Sequence, residues 1–93
     1  MKLRKIKAVR AMAKTHTVAI TFDDGSEWVK DMRRLIATRK VFAPLKGRKL
    51  FERVTIVDDG RAIQWNDDID YCADALWIEA QEARRKLTKA AAE

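Results

Sequence analysis

Cysteine, histidine and glycine are all scarce in this 93-residue sequence, and each scarcity excludes something. One cysteine, Cys72, cannot make an internal disulfide, so nothing points to an oxidising compartment and the expected setting is cytoplasmic. The one histidine, His16, has no serine or cysteine near it in sequence, so no nucleophile and base of the triad type are spelled out. His16 and Cys72 read instead as a strand-end histidine and a buried thiol. The three glycines, Gly25, Gly47 and Gly60, are isolated, which excludes a glycine-rich phosphate loop. No run approaches the roughly 18 apolar residues of a spanning helix. The basic start, Met-Lys-Leu-Arg-Lys, leads into a segment interrupted by Lys7 and Arg10 rather than into the apolar core of a signal peptide. The expected protein is neither exported nor membrane-embedded.

What the chain does contain is charge and apolar residues in globular proportion: 47% hydrophobic and 37% charged. The length falls just short of the roughly 100 to 200 residues usual for a domain, so one domain with a modest core is expected. The net charge of +6 conceals a split, because residues 1–53 hold 15 Lys+Arg against 5 Asp+Glu, whereas residues 54–93 hold 5 against 9. The basic half suits nucleic acid or an acidic partner, unless the two halves pack side by side and neutralise each other.

Residues 51–65 organise the rest. Val54, Ile56 and Val57 precede an Asp58-Asp59-Gly60 turn, and Ile63 and Trp65 lie on the returning arm, which predicts a hairpin. Before it, Ile6–Met12 is an imperfectly alternating strand, and residues 15–22 alternate cleanly with Val18, Ile20 and Phe22 on one face. Asp24-Gly25 then favours a tight turn into a strand over residues 27–30, with Trp28 and Val29 flanking the core. Asp31 can cap a short helix carrying Met32, Leu35 and Ile36, which must end before Pro44. Val41, Phe42 and Leu45 would anchor the connection to the core, and Lys46-Gly47-Arg48 reads as a turn. After Trp65, residues 66–70 read as a polar loop with Ile69 buried. From Asp74 onward Leu76, Ala80, Ala83 and Leu87 recur at helical spacing, fraying from Lys89. The expected class is α+β: a small, mainly antiparallel sheet of two hairpins, a short middle helix and a longer C-terminal helix. Residues 1–77 form the body, and residues 78–93 a helical extension of the same domain.

The ordered segments VAITFDDG, DM, FAPL, LFERVTIV, GRAIQWNDDID and DALW resemble the DUF2442 family of small prokaryotic proteins, a resemblance that covers about residues 6–77. The resemblance implies a compact α+β domain with a packed helix and no catalytic residues to carry over. It also implies that some relatives are antitoxin-like partners of a second small protein and that others are fused to a helix-turn-helix domain. Asn66-Asp67 departs from the family's usual Pro-Asp or Pro-Asn, and residues 78–93 extend past its usual end.

Function is therefore expected in contact rather than catalysis. The helix offers Trp77, Ala80, Ala83, Arg84 and Leu87 to another protein, a toxin-like partner or a second copy, with its first turns covering the domain's own sheet. The alternative is nucleic-acid binding through Lys2, Arg4, Lys5, Lys7, Arg10, Lys14, Arg33 and Arg34, although no zinc-finger, helix-turn-helix or base-stacking signature accompanies them. Asp67, Asp68, Asp70 and Asp74 lack the spacing and glycine of a calcium loop, so no metal or cofactor is expected. Asp70 or Asp74 reads as a helix cap and Asp67 and Asp68 as turn residues.

Overall fold

The computed structural model describes residues 4–92, with side chains through Lys86. Three strands come first: β1 (Ile6–Met12), β2 (Thr17–Phe22) and β3 (Glu27–Asp31) form an antiparallel meander. Strict alternation drives β2, whose Val18, Ile20 and Phe22 are wholly buried. The turn after β2 works as its sequence suggests. Gly25 takes a φ of 87°, and the Asp24 carboxylate accepts from the Ser26 N–H (2.9 Å) and hydroxyl (2.6 Å).

The middle of the chain is a compact helical connection: α1 (Arg33–Thr38), a 3-10 segment (Lys40–Lys46) containing Pro44, and the single turn α2 (Arg48–Phe51). Asp31 accepts the Arg33 N–H at 3.0 Å, although the formal cap position is Met32. Leu45, Met32 and Phe51 are buried, but Val41 is 52% exposed and does not anchor the connection. Val29 likewise points outward, 55% exposed, because it is paired beside Ala19 on the outer face of its sheet.

The central hairpin belongs to a second antiparallel sheet of three strands, β4 (Thr55–Val57), β5 (Ala62–Asn66) and β6 (Ile69–Cys72). The residues expected as a loop thus include a strand. The Asn66 side chain makes this possible, accepting the N–H groups of Asp68 and Ile69 at 2.9 Å each and tightening the turn between β5 and β6. In β6, Ile69 faces the core while Asp70 and Cys72 face outward, so the cysteine is exposed rather than buried. The turn between β4 and β5 holds Asp58, Asp59 and Gly60 at positive φ. The final helix, α3 (Ala73–Ala92), runs 20 residues with Asp74 in its first turn, and remains helical through the segment expected to fray.

Both sheets share one core. Inward residues of β1–β3 meet Ile63, Trp65 and Ile69 of the second sheet, Leu76 and Ala80 of α3, and Phe51. The outer face of the first sheet carries three cross-strand rows, Ala8–Thr21–Glu27, Arg10–Ala19–Val29 and Met12–Thr17–Asp31. The architecture is therefore the α+β class expected, with each hairpin extended by a third strand.

Candidate protein-contact surface

Helix α3 supplies both a core face and an outward face. Ala80 is wholly buried against the domain's own sheets, which removes it from the surface a partner could touch. Trp77 is half-buried, its ring edge-on to Phe22 at 5.0 Å, and the Arg4 guanidinium lies 4.3 Å above it. Ala83 is half-buried, and Arg84 is exposed with one guanidinium nitrogen 3.4 Å from the Glu27 carbonyl. Leu87 lies on the helical backbone, but its side chain falls outside the described residues. Ile78, 56% exposed, is an apolar side chain the spacing pattern passes over because it sits opposite the stripe.

One flank of α3 is fixed by a polar cluster. Lys30 points inward from β3 and is only 8% exposed. Its Nζ reaches Glu79 Oε1 at 2.5 Å and lies over the rings of Tyr71 (5.0 Å) and Trp28 (5.4 Å). The Tyr71 hydroxyl donates to Glu79 Oε2 at 2.6 Å. Burial, then the hydrogen bond and charge of Glu79, push the Tyr71 phenol well above its ordinary range, while the Arg39 charge pulls it back slightly. The three groups satisfy one another across β3, β6 and α3, so the cluster reads as a clasp. Arg34, Leu35 and Arg39 border a recess of about 430 Å³ beside it. A second recess of about 460 Å³ lies between Ile36, Ala37 and Ala43, edged by Arg33, Lys46 and His16. His16 has a φ of 51°, packs edge-on to Phe51 at 5.1 Å and holds Nε2 3.2 Å from the Lys46 carbonyl.

The candidate nucleic-acid residues do not form one surface. Arg4 pairs with Asp23 (3.4 Å) and Asp24 (3.9 Å), Lys5 with Asp59 (2.8 Å), and Arg33 forks onto Asp31 (2.6 Å). Lys7, Arg10, Lys14 and Arg34 are exposed and make no ion pair among the described residues. Arg10 stands on the outer face of the first sheet, whereas Arg34 lines the recess beside Lys30 on its inner side. Lys2 lies outside the described residues.

Among the described residues, no three His, Cys, Asp or Glu side chains gather as a metal site, and no helix is long and apolar enough to cross a membrane. The family model described as Protein of unknown function (DUF2442) matches residues 6–82, reaching five residues further along α3 than the sequence motifs alone. No curated protein and no solved structure matches the chain.

Proposed function

The chain belongs to the DUF2442 family, and we propose that it is a non-enzymatic protein-binding module that engages its partner through the far half of α3. One observation carries this reading. The last buried residue of α3 among those described is Ala80, yet the helix continues to Ala92. Twelve further residues span about 18 Å at the helical rise. A helix of that length is marginal in water without packing, and a partner would supply it. Ala83 permits close approach, and Arg84, Arg85 and Lys86 give the segment a cationic rim suited to an acidic groove. An antitoxin-like or accessory role beside a second small protein is the form this reading takes.

Affinity capture from the native host, comparing the full chain with one ending at Glu82 and with Ala83→Glu, tests it. The shortened chain keeps the whole described core, so it should fold while losing the captured protein. An unchanged set of captured proteins would sink the reading. Nucleic-acid binding through the basic half is the weaker alternative, since Arg4, Lys5 and Arg33 are already neutralised by acids. It requires capture of nucleic acid that falls steeply with salt, and nuclease treatment separates it from protein capture.

A further inference from the structure

The two faces of the first sheet differ in what covers them. Its inner face packs against α3 and the second sheet, while its outer face leaves Val29 55% exposed beside exposed Arg10 and Glu27. A shallow recess of about 390 Å³ crosses it between Met12, Ala19 and Val29. The central strand presents only Thr17, Ala19 and Thr21 there, so another flat surface can approach closely.

The charges on this face are divided by strand. Arg10 stands on β1 in the same row as Val29, while Glu27 and Asp31 stand on β3 two residues to either side of Val29. We propose that this face binds a second copy of the chain, sheet against sheet, about a two-fold axis running along β2. Such an axis lays β1 of one copy over β3 of the other. Arg10 then sits above Val29 of the second copy, between its Glu27 and Asp31, each about 7 Å away along the strand. The symmetry repeats the contact on the other side. Asp31 already holds Arg33, so Glu27 is the main acceptor.

Charge chooses this axis over the other in-plane choice. A two-fold axis across the strands would set Arg10 on Arg10 and Glu27 on Asp31, both repulsive. The apolar centre is Ala19 on the axis, flanked by Met12 and Val29. The footprint, about 14 by 17 Å at standard strand spacings, is smaller than a standard interface. Association is therefore concentration-dependent. It is independent of the α3 contact, because α3 packs on the opposite side of the sheet.

Sedimentation velocity of the full chain from micromolar to submillimolar concentration tests the proposal. The expected result is a reversible dimer that Arg10→Glu weakens tenfold or more, and that Arg10→Glu combined with Glu27→Arg recovers to within a few-fold. In a Cys72→Ser background, Thr17→Cys and Ala19→Cys should each cross-link to themselves through a short bismaleimide, whereas an axis across the strands would link Ala19→Cys alone, because it sets Thr17 over Thr21. A monomer at every concentration overturns the proposal, as does a dimer indifferent to Arg10→Glu or cross-linking of Ala19→Cys without Thr17→Cys. Matching thermal unfolding curves establish that the variants fold. The Thr17→Cys arm reads the axis without altering a charge on this face.

Discussion

Lys30 and Glu79, 49 residues apart in sequence, meet with Nζ and Oε1 at 2.5 Å and tie β3 to α3. The lysine side chain is 9% exposed and the glutamate 32%, so water screens only one end of the pair. Glu79→Gln should leave the ammonium uncompensated and cost about 2 to 3 kcal/mol in denaturant unfolding, less than for a fully buried pair. Replacing both by Met and Leu should cost clearly less than the single change, because the stranded charge goes too.

Tyr71 reports the same clasp spectroscopically, since it is the only tyrosine. Its folded phenol ionises well above the ordinary value of 10.0, so its contribution to stability is fully present below about pH 10 and is lost as pH rises further. Absorbance titration should show no phenolate transition near 10 in the folded protein. Glu79→Leu removes two of the three causes that raise it and should bring the midpoint down, leaving the part due to burial.

At the acid end, Asp31 titrates at about 2, held down by hydrogen bonds from the Arg33 side chain and backbone. The sign is opposite to that of Tyr71. This stabilisation is present above the ordinary carboxylate value near 3.8 and is lost as pH falls towards 2. The pair is half-exposed, so the effect on stability is small. NMR titration should nevertheless show the Asp31 midpoint rising towards 3.8 in Arg33→Ala.

Two glycines with nearly the same φ should respond differently to alanine. Gly25 at 87° has open space around a new Cβ, so Gly25→Ala should cost only the left-handed strain, about 1 kcal/mol. At Gly60, at 86°, the Cβ would stand 3.0 Å from the Ile6 carbonyl oxygen and 3.2 Å from Lys5 Cβ. Gly60→Ala should therefore cost about 2 to 3 kcal/mol, measured by thermal unfolding.

Trp77 separates folding from binding. Because its ring is held between Phe22 and Arg4, Trp77→Ala should lower stability by about 2 to 3 kcal/mol even with no partner present. An unfolding midpoint equal to that of the unaltered protein would show that the indole matters only in contact.

The parts of the fold legible in the sequence are those where pattern and turn chemistry agree. β2 alternates without exception and ends in a turn whose glycine and aspartate have defined geometric roles. β6 is masked in the sequence because acids dominate residues 67–70, although Ile69 and Tyr71 share one face by period two. The clasp was hidden for a different reason: a strand lysine reads as solvated, yet the same period places Lys30 beside buried Val18 on the inner face. On α3 the stripe was visible, but helical spacing cannot distinguish an alanine covering its own core, as Ala80 does, from one awaiting a partner.

The inward lysine also bears on aggregation. β3 is an edge strand whose outer backbone groups could recruit a strand from any neighbouring molecule. An incoming strand would crowd the ammonium that Glu79 holds beneath that edge, so adding a strand there is disfavoured. Lys30→Val should therefore yield a protein that still folds but deposits as β-rich aggregate on heating, detectable by thioflavin fluorescence and absent in the unaltered chain.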